Sequence, residues 1–355
     1  MSKHALPRVI LWLLLCFTSA AAQAQPKSDV TLKIGTYGGV FDQILMRYAG
    51  NLFTAHTGIK LQLINANADD HLAKLIASKG REAPYDIIFL DDGIQIKAIA
   101  AGVVSKITDA ELPNLKYVYD DAKNKDGYGP AMDLYSCGIA YNTQKFKEAG
   151  IAPPTSWADL WNPQLAGHVA VPALDSTMGQ CLLAASERLA GGDEGTPDKG
   201  IAKIAQIKAQ SYPGSSATIT ALLTSGDVWI VPWLNGRTWN LADSGQPVAY
   251  VLPSEGAYRG MTMIDVAAGS PHRAEALQFV NDVLGPLFQM GLVFENVYGP
   301  SNKLLSPVLA AYPDTARKLP ASPEDLAKLQ DINWSVFNAN LPKAVQLWNR
   351  QVISH

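Results

Sequence analysis

Short apolar runs alternate with stretches of helical spacing along most of the chain. Thr31 to Ile34 (TLKI) ends at Gly35 and predicts a strand. Apolar residues then fall at Phe41, Ile44, Leu45, Tyr48 and Leu52, the spacing of one helix face across 41–53, and Thr57-Gly58 stops it. The stretch 60–64 (KLQLI) alternates as a strand, and 71–78 is helical. The run 85–90 (YDIIFL) is continuously apolar, the kind of strand buried on both faces of a parallel sheet. A helix over 95–101 stops at Gly102. Strand and helix in repeated alternation predict an α/β lobe with crossover connections.

The second half continues less regularly. Strands are predicted at 135–141, within 165–172, and at 228–231, 248–252 and 261–267. Helices are predicted at 176–189, 202–209, 218–223 and 273–284, and the tail 323–352 has helical spacing in two pieces. One stretch stands out. WIVPWLNGRTW (229–239) reads as a buried strand ended by Pro232, then a turn at Asn235-Gly236. A lone arginine, Arg237, follows between Trp233 and Trp239. It is either a stacked surface cation or an anion clamp in an aromatic-lined site.

The N-terminus adds a compartment. Lys3 and Arg8 precede the apolar run 9–17, and Ala22-Gln23-Ala24 is a small-x-small cleavage site. This predicts a secretory leader over 1–24 rather than a membrane anchor, since the run is too short to span a bilayer. The formal net charge is −3, and the leader holds two of the basic residues and no acid. No basic patch is visible, which argues against nucleic acid as a partner. Two cysteines follow the leader, Cys137 and Cys181, read as one disulfide or as two separate buried thiols. The remaining length favours two lobes over one core.

Catalytic patterns are missing. No HExxH, GxSxG or P-loop occurs, and the histidines have no metal-ligand spacing. GTYGG (35–39) lacks the spacing of a dinucleotide fingerprint. The paired acids Asp91-Asp92, or Asp265, remain the only handle for a hydrolase reading. No cofactor is expected, and capture fits better than conversion.

A set of segments then carries a resemblance. IGTYGGVFDQ (34–43), TGIKLQL, APYDIIF, DLYSCGIAYNT (133–143), PTSWADLWNPQLAGHVAVP (154–172), and the stretch 250–286 followed by YGPSN, occur in an order that resembles the spermidine/putrescine-type periplasmic solute-binding proteins of ABC importers. The resemblance implies a type II two-lobe α/β clamshell with two hinge-crossing strands. Lobe 1 would be 25–134 plus 262–308, and lobe 2 would be 135–261 plus 309–355. It further implies a periplasmic monomer that captures a small solute and is read by an inner-membrane permease. Related clamshells hold ferric ion on tyrosine pairs, and the tail lacks such a pair.

The same resemblance places candidate ligand residues. Tyr37 and Gly38 fall in the ligand loop, and Tyr37 and Trp233 match aromatic positions of amine binders. Asp91 and Asp92 follow a buried strand at a contact site. Asp91 is either an ammonium partner or a helix N-cap. Tyr135 lies on the first hinge strand, Asn235 near the end of the strand at 228–231, and Trp334 in the tail. Two departures matter. Where amine binders have acids, this chain has Ser176 and Thr177 at a helix start, read as an anion site or as simple capping. Thr262 stands where another acid is expected, and Asp265 is displaced from it. Arg237 and Arg259 appear where a cationic ligand has no use for them. A guanidinium fits a carboxylate bidentately. The expected ligand is therefore a small carboxylate-bearing solute, best an amino-acid-like zwitterion such as a γ- or ω-amino acid. A simple organic anion and a polyamine are the alternatives.

Overall fold

The computed structural model describes residues 28–319 and 327–353, so the expected leader and its cleavage site lie outside the described residues. Among the described residues eleven strands form one sheet. In chain order they are β1 (Thr31–Thr36), β2 (Lys60–Asn65), β3 (Ile87–Asp91), β4 (Ala131–Asn142), β5 (Val169–Ala170), β6 (Ala209–Ser211), β7 (Ile230–Leu234), β8 (Val248–Val251), β9 (Ala257–Val266), β10 (Gly299–Pro300) and β11 (Leu329–Gln330). The spatial order is β2-β1-β3-β9-β4-β7-β5-β6, with β8 and β10 also on β4 and β11 on β9. Both wings are parallel, β1 with β2 and β3, and β5 with β6 and β7. The centre is antiparallel, where β9 meets β3 and β4.

The expected α/β clamshell follows from where the apolar residues gather. Leu32, Ile34, Phe41, Phe53, Phe89 and Phe279 form one core. Its rings meet edge to face, Phe41 on Phe89 at 5.0 Å and Phe53 on Phe279 at 5.1 Å, the arrangement their quadrupoles favour. A second core gathers Trp157, Leu183, Ile230, Trp233 and Trp348. Two strands run from one core to the other. β4 contributes Ala131 and Met132 to the first and Cys137 to Tyr141 to the second, while β9 runs the opposite way from Tyr258 to Ile264. The cleft lies where these strands cross.

Local differences from the sequence expectation have physical causes. β4 begins at Ala131 rather than 135, because pairing with β9 carries the strand through the buried Asp133. β7 continues through Pro232 to Leu234. Its neighbour β5 pairs with it only at Ile230, so the proline's missing N–H breaks no ladder on that side. Asn235-Gly236 is no turn but the start of the helix Asn235–Asp243. Leu309 and Leu319 do not join the second core; they pack with Val293, Val297 and Leu305 in a small cluster of their own.

Candidate functional site

A cavity of about 520 Å³ opens between the two cores, lined from both sides and by the crossing strands. Its floor is a row of three residues on adjacent strands. Asp91 on β3 pairs with Thr262 on β9, and Thr262 pairs with Asp133 on β4. Strands lie about 4.8 Å apart, so the two carboxylates flank Thr262 with roughly 10 Å between their Cα atoms. A register shift between Ala131 and Asp133 marks a bulge at Met132, and a bulge re-aims the side chain beside it.

The two acids are held differently. Asp91 Oδ1 accepts the Tyr37 hydroxyl at 3.2 Å, and Oδ2 accepts the Thr177 hydroxyl at 2.9 Å. Burial raises its pKa, and these two donors partly offset that. Asp133 has no exposed surface. Its Oδ1 accepts the Thr262 backbone N–H, at 3.3 Å, the Thr262 side chain also donates to the carboxylate, and its buried Oδ2 is left without a well-placed partner among the described residues. Burial pushes its pKa up to about 7.

The opposite pole is Arg237. It reaches the cavity from the first turn of the helix Asn235–Asp243, and its buried Nε has no partner among the described residues. Burial raises the Tyr298 hydroxyl, and the nearby Arg237 guanidinium partly offsets this. The arginine is set in place by its two predecessors. Asn235 accepts the Ser136 N–H at 3.0 Å and donates to the carbonyls of Val297 at 3.1 Å and Lys318 at 3.2 Å. Val297 is left-handed, with φ of 55°, which is strained for a β-branched residue. Gly236 lies flat against the Tyr298 ring, where a Cβ would sit 2.4 Å from Cε1.

The structure closes on this site from the C-terminal helix too. Trp334 lines the cavity and packs on Gly93, and Asn338 Nδ2 donates to the Gly93 carbonyl at 2.9 Å. A floor of crossing strands, walls from two cores and a small cavity lined by aromatic and charged side chains suit the capture of a small molecule.

Comparison with known proteins agrees. The model of the bacterial extracellular solute-binding protein family matches residues 49–315. The chain belongs to this family. The spermidine/putrescine-binding periplasmic protein 1 of Haemophilus influenzae is 26% identical over 260 residues, covering 70% of each chain. Among solved structures, a periplasmic binding protein of A. tumefaciens R10 in complex with agropinic acid matches at a TM-score of 0.73 and 21% identity, over 92% of this chain and 99% of that one. A GABA receptor matches at 0.75 and 17%, over 90% and 96%. The fold is the type II periplasmic-binding-protein fold, and the chain is the substrate-binding component of an ABC transporter. Its family and structural neighbours are transport proteins rather than enzymes.

Within this solute-binding fold, eight of the expected positions meet at the cavity: Tyr37, Asp91, Tyr135, Ser176, Thr177, Arg237, Thr262 and Trp334. Ser176 serves as the helix N-cap, its Oγ accepting the Gly179 N–H at 3.1 Å, while Thr177 beside it reaches Asp91. Other expectations are corrected. Trp233 points into the second core, 1% exposed, and its indole donates to Ser216 Oγ at 3.3 Å. Asn235 supports the site from behind, as described. Gly38 precedes the helix Gly39–Leu45 with φ of 78° and does not line the cavity. Asp92 starts the helix Asp92–Ala101 outside the lining; burial pushes its pKa up to about 7, and Trp334 donates to it.

Arg259 lies away from the cleft and pairs with Asp331 at 2.8 Å and Asp121 at 2.6 Å. Asp265 is a buried strut that accepts Gln95 Nε2 at 2.9 Å and the Gly129 N–H at 2.9 Å. Cys137 and Cys181 are free buried thiols rather than a bridge. Asp133 and Tyr298 line the cavity without having been expected there, as do Asp69, Asp70, Asp175 and Gln180.

Proposed function

We propose that this cleft captures a small carboxylate-bearing solute in the periplasm, best an amino-acid-like zwitterion such as a γ- or ω-amino acid. The loaded monomer would hand it to an inner-membrane permease. One observation carries the reading: Arg237 lines the cavity with its buried Nε unpartnered, and no ion pair joins it to a described carboxylate. A guanidinium edge of that kind matches a carboxylate with two parallel hydrogen bonds. Curated relatives bind spermidine and putrescine, and a polyamine here would meet like-charge repulsion from Arg237. A structural neighbour is a receptor for GABA, a zwitterion of the proposed class. Periplasmic relatives and the expected leader support the location.

Calorimetric titration of the chain 25–355 with γ-aminobutyrate, glutarate and putrescine tests this. Carboxylates bind, and Arg237→Ala abolishes that binding while the ligand-free melting temperature stays. Micromolar putrescine binding with no carboxylate binding sinks the reading. A visible absorbance band on ferric addition would point instead to the tyrosines of the cleft.

A further inference from the structure

We propose that Asp133 is the ammonium-binding carboxylate of this cleft and that Asp91, its neighbour across Thr262, is a strut between the lobes. The proposal rests on the zwitterion reading above and names its second pole. A carboxylate can accept about four hydrogen bonds. Asp91 spends one acceptor on Tyr37 and one on Thr177, from opposite sides of the cleft, which fixes its orientation. Asp133 lines the cavity and is held by Thr262, through one long backbone hydrogen bond and the threonine side chain, and its Oδ2 is buried and unpartnered among the described residues. A buried carboxylate oxygen with no donor is costly unless something supplies one. The described protein groups around it are poor candidates. Thr262 already serves Oδ1, and Tyr37 is committed to Asp91. A primary ammonium brings three donors and a positive charge, and fits this vacancy in hydrogen-bonding capacity.

The surroundings suit the rest of such a ligand. Tyr37, Tyr135 and Tyr298 present rings to the same cavity, and these can cover methylenes next to the charged nitrogen. Burial raises the hydroxyls of all three tyrosines, so they remain neutral donors. Arg237 beside Tyr298 then takes the carboxylate end. Asp133 and Arg237 thus form two poles of opposite charge, each with a buried atom free to bind.

The test compares γ-aminobutyrate with butyrate, its amine-free counterpart, on wild type, Asp133→Asn and Asp91→Asn. Wild type should prefer γ-aminobutyrate by at least about 10-fold, the scale of a charge-assisted hydrogen bond. Asp133→Asn should lose about 10- to 100-fold toward γ-aminobutyrate and leave butyrate unchanged, so that the preference collapses. Asp91→Asn should weaken both ligands together and keep the preference. A merely structural role for Asp133 would also weaken both together, and that result overturns the proposal. The wild-type comparison needs no variant to fold: equal affinity for both ligands overturns the ammonium site and leaves the carboxylate reading intact. Conversely, putrescine binding that Asp133→Asn removes, with no carboxylate bound, upholds the ammonium site while the carboxylate reading falls. Failure of γ-aminobutyrate, 5-aminopentanoate and putrescine alike overturns it.

Discussion

The Thr177 hydroxyl donates to Asp91 Oδ2 at 2.9 Å, across the cleft between the two cores. Thr177 starts the helix Thr177–Leu189 on one side, and Asp91 ends β3 on the other. Asn338 reaches the Gly93 carbonyl two residues on, so the start of the helix Asp92–Ala101 is gripped twice. Closure in such clamshells shifts only through interactions that differ between open and closed forms, and these bonds tie the two sides of the cleft together. Thr177→Val removes the donor and leaves the carboxylate oxygen short of a partner, at about 1–3 kcal/mol. The ligand-free protein should become more open, with a larger radius of gyration by small-angle X-ray scattering, and should bind γ-aminobutyrate about 10-fold more weakly. Unchanged scattering and affinity would show that this bond does not govern closure.

Gly236 carries a second prediction, in which two effects oppose each other. Alanine is a better helix former than glycine by about 1 kcal/mol, and Gly236 lies in the first turn of a helix. Yet a Cβ there would sit 2.4 Å from the Tyr298 ring and 2.5 Å from the Asn296 carbonyl. The ring is buried and the carbonyl belongs to the strained segment before Val297, so neither can give way cheaply. Overpacking costs about 1–3 kcal/mol and should prevail. Gly236→Ala should lower the urea midpoint and weaken ligand binding through Tyr298 and Arg237. A raised midpoint would show the site to be looser than its geometry.

How far the sequence reveals this site depends on range. Tyr37 was legible because it lies in a segment that carries the resemblance, Arg237 because a lone cation stands among tryptophans, and Thr177 and Trp334 because the resemblance puts ligand contacts near their positions. Asp133 was not. A carboxylate inside an apolar run reads as the end of a loop, and only pairing with β9 shows that the strand continues through it. The resemblance misplaced Trp233: β7 runs on to Leu234, so Leu234 lines the cavity and the tryptophan turns to the core. Arg259 looks like Arg237 in sequence, but its partners Asp331 and Asp121 are 72 and 138 residues away. The α/β character was legible from alternating strands and helices, which are local signals. The roles of buried polar groups depend on distant partners and were not.

The cysteines give a third prediction. Cys137 on β4 and Cys181 on the helix behind the cleft are buried free thiols. Burial raises the Cys181 thiol well above its ordinary range, and a hydrogen bond with Cys137 adds to this. Cys181 should therefore be inert as a nucleophile in the native protein, since the thiolate is the reactive form, and burial shields Cys137 from reagents. A thiol reagent should find no reactive group in the folded chain 25–355 and two per chain after denaturation. Zero after denaturation, without reductant, would mean that the pair closes to a disulfide in the exported protein.

Glu187 gives the last prediction, on pH. It is 1% exposed on the helix Thr177–Leu189, and neither carboxyl oxygen has a hydrogen-bond partner among the described residues. Burial, with Glu194 and Asp193 nearby, pushes its pKa up to about 8, against some relief from Arg188. The folded state therefore holds a proton that an unfolded glutamate releases near pH ~4.3. A raised acid pKa contributes stability that is complete below the unfolded value and is lost as pH rises through the folded one. The slope is up to about 1.4 kcal/mol per pH unit across that window. Asp133, Asp92 and Asp265 are raised as well, so the wild-type slope is not due to Glu187 alone. The difference between wild type and Glu187→Gln isolates it. Near pH 5 the two should unfold at similar urea concentrations. By pH 9 the glutamine variant should be more stable by at least ~2 kcal/mol, because its neutral amide has no proton to lose. A difference that stays flat from pH 5 to 9 would mean that Glu187 is already ionised in the folded protein, with water or a cation at its carboxylate.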